Sequence, residues 1–152
     1  MINKKEGLRR KYAGAYATKW IYFISAIILF LVLNYANYPY GSGSFWHYFA
    51  YISFLIFSII LAISTIFNAY YRKRLFPNKK NINYKILILV FFSLLVLLTL
   101  FAWLNWSKIN INYLEIAAFI FYFSSLLTFG LDEIHQSIKQ ILQYLKSKKQ
   151  KT

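Results

Sequence analysis

The sequence predicts an all-α membrane protein: four transmembrane helices in two hairpins, then a C-terminal amphipathic helix on the cytoplasmic side. Three observations point there. The chain is 59% apolar and only 14% charged, against roughly 45–50% and about 25% in soluble domains. Its apolar residues fall in four uninterrupted runs. Its positive charges fall between those runs on alternate sides, so that four crossings bring 17 of 18 to one face.

The runs lie at about 20–38, 45–69, 86–106 and 111–131, each near the ~20 residues that cross a ~30 Å hydrocarbon layer as a helix. The central part of each holds no Lys, Arg, Asp or Glu, where a charge would cost at least ~2.5–3.5 kcal/mol. Barrel strands are excluded by length, since they need only about 9–11 residues. Residues 1–131 thus form a four-helix membrane domain, and 132–152 an amphipathic basic tail.

The connections fit. Residues 34–44 hold Pro39, Gly41 and Gly43, a turn signal. Residues 72–85 hold Pro77 and six basic side chains: Arg72, Lys73, Arg74, Lys79, Lys80 and Lys85. Six more precede the first run: Lys4, Lys5, Arg9, Arg10, Lys11 and Lys19. Five follow the fourth: Lys139, Lys146, Lys148, Lys149 and Lys151. Only Lys108 falls on the other side. Lys and Arg bias in short flanks sets orientation, so both ends are expected in the cytoplasm of a cell with this chain in its inner membrane. Tyr and Trp near the run ends, such as Tyr35, Trp46, Trp106 and Tyr113 outside and Tyr12, Trp20 and Tyr70 inside, suit the headgroup level. The first run reads as an uncleaved anchor, because no small residue stands two positions before Ala36.

Charge and composition narrow the function. The net charge is +14, but its spread over three flanks beside spans suits anionic lipid headgroups better than nucleic acid. Arg9, Arg10, Lys11, Arg72, Lys73 and Arg74 are the expected headgroup contacts. No cysteine is present, so thiol chemistry and Cys-based metal sites are excluded. No cofactor is expected. Four acids and two histidines offer no catalytic constellation, and an enzyme is not expected. Coupled transport is disfavoured because no Lys, Arg, Asp or Glu stands in the central part of a run.

Several residues nonetheless stand out. Ser58, Ala62, Thr65 and Ala69 share one helical face of the second run, with Asn68 beside them. Ala117, Ser124 and Thr128 make a similar face on the fourth. Small side chains let membrane helices pack closely. The competing reading is a hydroxyl-lined pore. Glu115 follows Asn112 by three residues, the spacing of a helix-capping box. Asp132, Glu133 and His135 cluster past a break expected at Gly130, but lack the spacing of a helical zinc motif.

The tail carries the clearest pattern. Leu131, Ile134, Ile138, Ile141 and Leu145 alternate spacings of three and four, the seam of two heptads, and Leu142 widens it. Such a helix either lies on the membrane surface or pairs with a copy of itself or a protein partner. Two function classes follow. One is a scaffold or accessory subunit that recruits partners through its basic face and tail. The other is an oligomeric pore-forming or membrane-disrupting protein, such as a small channel or a holin-like protein.

Overall fold

The computed structural model describes residues 4–35, 45–77, 82–106 and 112–149. Side chains are described throughout these except at 34, 35, 144 and 146–149. The expected turn at Pro39, Gly41 and Gly43, the residues Ala36, Lys79, Lys80, Lys108 and Lys151, and the side chains of Tyr35, Lys146, Lys148 and Lys149 lie outside these.

Four helices make up the described chain: α1 (Lys4–Tyr35), α2 (Phe45–Leu75), α3 (Tyr84–Leu104) and α4 (Tyr113–Lys149). All four are long and apolar enough to cross a membrane. At about 1.5 Å per residue, only α3, with 21 residues, matches a ~30 Å layer. The other three hold 32, 31 and 37 residues and outrun it.

Local chemistry explains most of the ends. Glu6 stands in the first turn of α1, where a carboxylate suits the helix dipole, and its Oε1 takes a bond from Arg10 one turn on at 3.0 Å. The basic flank before the first run is therefore helix from Lys4. Arg72, Lys73 and Arg74 fill the last turn of α2, the end that favours cations. Pro77 follows, and proline disfavours helix in the residue before it. Asn83, in extended conformation, caps α3 by accepting from the Lys85 backbone N–H at 3.2 Å. At the other end Asn105 donates its side-chain amide to the Phe101 carbonyl at 2.8 Å.

One expected boundary is absent. Helix α4 runs through Gly130 without a break. A mid-helix glycine costs about 1 kcal/mol against alanine. Its neighbours offset that: Phe129 packs edge-on against Trp20 and stacks on Phe23, and Asp132 is fully buried. The segment expected as a separate tail is thus the continuation of the fourth long apolar helix.

The helices alternate in direction around a central pair. Along α2 and α4, His47 meets Glu115, Phe54 meets Tyr122, and Arg72 meets Asp132; the shared order makes these two helices parallel. Helix α1 runs against both, with Phe30 facing Phe54 and Tyr122 and Lys19 facing Asp132. Helix α3 runs against α4, with Phe91 near Phe121 and Trp106 stacked on Tyr113. The two hairpins α1–α2 and α3–α4 therefore meet through α2 and α4. The apolar core gathers Ala26, Tyr51, Phe54, Ala118 and Tyr122. Helices α1 and α3 are the least covered: among the described side chains α1 buries only Lys19 and Ala26, and α3 only Leu87 and Phe91.

Candidate functional site: a buried ion cluster and an uncovered helix face

Each long helix presents its seam to the others at spacings near 3.5, as left-handed packing requires. On α2 the buried seam is Tyr51, Phe54, Ser58, Leu61, Thr65, Asn68 and Arg72. On α4, Ala118, Tyr122, Ser125, Phe129 and Asp132 are buried in the same rhythm. On α1, Ala26 and Lys19 are buried seven residues apart. The seams end in charge: Lys19, Arg72 and Asp132 take places that apolar or small residues hold one heptad earlier in the bundle.

These charges meet. Lys19 Nζ donates to Asp132 Oδ2 at 3.1 Å and also to Glu133 Oε1. Arg72 Nη2 donates to Asp132 Oδ1, and its Nη1 reaches Oδ2 at 3.4 Å. Gln136 Nε2 adds a third donor to Asp132 Oδ2, at 3.1 Å. Lys19 also sits over the Tyr16 and Phe129 rings, at 5.1 and 5.5 Å from their centroids. Two cations thus balance two anions. Lys19 and Asp132 are 0% exposed, where an unmatched charge would be prohibitive. The cluster ties α1, α2 and α4 together where the bundle leaves the apolar runs.

A second pair closes the other end. His47 Nε2 and Glu115 Oε1 lie 2.6 Å apart, both largely shielded. Asn112 donates to the Tyr48 hydroxyl at 3.4 Å beside them. Glu115, expected as a capping carboxylate, thus joins α4 to α2. The central parallel pair is stapled at both ends, with the cationic or imidazole partner on α2 each time.

Between the staples lie the small residues singled out from the sequence. Ser58, Ala62, Thr65, Asn68, Ala69, Ser124 and Thr128 are buried, while Ala117 is half-buried on the groove between α3 and α4. Their hydroxyls are mostly spent on backbone. Ser58 donates to the Phe54 carbonyl, Thr65 to Leu61 and Thr128 to Ser124, at 2.8, 2.8 and 2.7 Å. Ser125 crosses to the Ser58 carbonyl at 2.7 Å, a direct tie between the two central helices. Asn68 accepts from Arg72 Nη1 at 3.5 Å.

Of the six cations expected at headgroups, Arg9, Arg10, Lys11, Lys73 and Arg74 are exposed. Arg72 is not: it is 5% exposed and held by Asp132. Its position seven residues past Thr65 turns it inward. Among the described residues no three His, Asp or Glu side chains converge as a metal site. Asp132 and Glu133 turn to Lys19 instead.

The tail residues Leu131, Ile134, Ile138, Ile141 and Leu145 are between 43% and 59% exposed. At about 100° per residue this stripe is centred about 150° from the Asp132–Gln136 seam. It points away from the bundle, and the described residues leave its apolar surface uncovered. Compared with protein-family models, curated proteins and solved structures, the chain matches none.

Proposed function

We propose that this chain is a multi-pass protein of the cytoplasmic membrane, with both ends inside, and that it acts as a non-enzymatic scaffold or accessory subunit. In this reading the four helices anchor the chain. The inner ends of α1, α2 and α4 carry the bundle past the hydrocarbon, and the exposed basic side chains contact anionic headgroups. Partners are recruited through the projecting part of α4.

The observation that carries this reading is the continuity of α4. A helix of 37 residues is about 55 Å long, nearly twice the hydrocarbon thickness. Because it does not break at Gly130, its last turns continue the direction of the span. That favours projection over lying flat on the membrane. A row of half-exposed Leu and Ile in that position needs a partner surface.

The test replaces the stripe and leaves the ion cluster whole. Truncation at Leu131 would remove Asp132 and Glu133 and unfold the inner end. Ile134→Gln, Ile138→Gln and Ile141→Gln together should keep membrane insertion and thermal stability, while partner recovery on affinity purification falls at least tenfold. Unchanged recovery refutes recruitment by the stripe. A collapse of membrane potential on overexpression, read by a potential-sensitive dye and kept by the triple variant, would favour the pore-forming alternative.

A further inference from the structure

The end of the bundle that holds the Lys19–Asp132 cluster also carries a groove on its flank. Helix α2 forms its floor. One cavity of about 510 Å³ takes its walls from α1, α2 and α3. A second, of about 300 Å³, continues it between α1 and α2. The two share Lys11, Phe67 and Tyr71. We propose that this groove binds one anionic phospholipid, with its phosphate between Lys11 and Arg74 and an acyl chain lying along α2 toward Ile60. The proposal rests on the membrane and headgroup reading above and gives that reading a specific site.

Residue order gives the groove two parts. On α2, Ile60, Ile63, Phe67, Tyr71 and Arg74 recur at steps of three and four and so share one face. On α1, Leu8, Lys11, Ala15 and Thr18 do the same. The two helices are antiparallel, so Lys11 and Arg74 fall toward one end and the small Ala15 and Thr18 face Ile60 and Ile63 in the other part. Ser64 borders that part, but its hydroxyl is spent on the Leu61 carbonyl at 3.1 Å. The deeper stretch is thus apolar and the mouth is cationic.

Charge and length select the occupant. Arg10 pairs with Glu6, and Lys19 and Arg72 with Asp132. Among the described residues no Asp or Glu lines the groove or pairs with Lys11 or Arg74. The Arg74 guanidinium lies over the Tyr70 ring, 4.6 Å from its centroid, and Tyr70 meets Tyr84 edge-on at 5.2 Å. The arginine is therefore positioned before anything binds, which lowers the ordering cost. Tyr84 is the first residue of α3, so the positive end of that helix dipole lies at the same mouth. From Tyr70 back to Ile60 is ten residues, about 15 Å of helix, or half of a ~30 Å hydrocarbon layer. Ile63 and Phe67 within it are 48% exposed. A molecule apolar over one leaflet and anionic at its end matches both parts. An apolar partner helix would leave the two cations unmatched.

The test offers the full chain, in mild detergent, equal amounts of phosphatidylglycerol and phosphatidylcholine with the same acyl chains, and reads bound lipid by native mass spectrometry. The unaltered chain should retain phosphatidylglycerol at least tenfold over phosphatidylcholine, the scale expected of two cations near a lipid headgroup. Lys11→Gln with Arg74→Gln should abolish that preference. Arg9→Gln with Lys73→Gln removes two cations that line neither cavity and should leave it. Ile63→Trp fills the groove without touching its charge and should lower phosphatidylglycerol retention by a similar factor. All five side chains are exposed, so folding is preserved. A preference that survives Lys11→Gln with Arg74→Gln, or retention unchanged by Ile63→Trp, overturns the proposal. Equal loss in the two cation pairs overturns the groove and leaves diffuse headgroup contact standing. No preference in the unaltered chain refutes both. Because the chain has no cysteine, a benzophenone placed through Ile63→Cys reports what lies there in native membranes. It should capture lipid; a polypeptide as the main product makes the groove a helix interface and overturns the proposal. Recruitment through α4 is untouched by every one of these variants and is read separately.

Discussion

Lys19, Arg72 and Asp132 are the residues on which one end of the bundle turns. Asp132 accepts from three different side chains, and its charge is what makes burial of Lys19 and Arg72 tolerable. Removing one partner from such a group leaves a charge unmatched in a dry setting, at about 3–5 kcal/mol. Asp132→Asn should therefore lower stability by that order, read as the loss of folded protein on heating in mild detergent. Lys19→Met should also destabilise, since Glu133 loses its partner. Adding Glu133→Gln to it restores the balance and should recover most of the loss, because Arg72 still holds Asp132. A double variant no better than Lys19→Met would show that the cluster acts by shape and not by charge. The sequence holds the signal for these residues. Ser58, Thr65 and Arg72 are spaced by seven, as are Ala118, Ser125 and Asp132. The small-residue faces are legible, but flanking charges in a membrane chain are so regularly headgroup contacts that the rhythm is not followed into them. The His47–Glu115 pair keeps that rhythm, seven residues before Phe54 and Tyr122, but the rhythm alone does not say that the two residues meet. Their contact becomes visible only once α2 and α4 are known to run side by side.

At the scale of elements, the membrane runs are the legible part and the helix lengths are not. Hydropathy finds where lipid is tolerated; it is blind to helix that continues into water. So α1 begins at Lys4 and not near Trp20, and α4 ends at Lys149. In both, the contacts around Lys19, Asp132 and Gln136 hold as helix the first part of what composition alone reads as flank or tail. Gly130 is the informative position. A glycine in a helix is ordinarily a breaker, yet here it lies between two buried contacts. A Cβ added there would meet nothing within 4 Å. Gly130→Ala should thus stabilise the protein by about 0.5–1 kcal/mol, a rise measurable in the same melt. Gly130→Pro should do the reverse, because proline removes a helical hydrogen bond and clashes with the turn before it. It would also decouple the tail from the span. If the alanine variant loses stability, the helix needs flexibility at this point.

For the whole molecule, the decisive feature is that the two hairpins are joined by their second helices, α2 and α4, which run parallel. Parallel neighbours in a chain must be brought together by contacts distant in sequence, and here polar ties flank the aromatic contact of Phe54 with Tyr122. Arg72–Asp132 and His47–Glu115 hold the ends, and Ser125 to Ser58 holds the middle. Without a hydrophobic force between helices in lipid, association relies on packing and on such polar ties. On that basis the two hairpins are expected to assemble as separate units. Residues 1–76 and 78–152, expressed as two chains in the same cell, should each insert and should co-purify through a tag on the first. The loss of covalent linkage is modest because the two halves stay confined to one membrane. Carrying Asp132→Leu, Glu133→Gln and Glu115→Gln on the second half removes the charged ties at both ends. Recovery of that half should then fall at least tenfold, while its level in the membrane stays the same. Recovery of the first half alone, with both halves intact, would mean that the connecting segment and not the α2–α4 interface holds the molecule together.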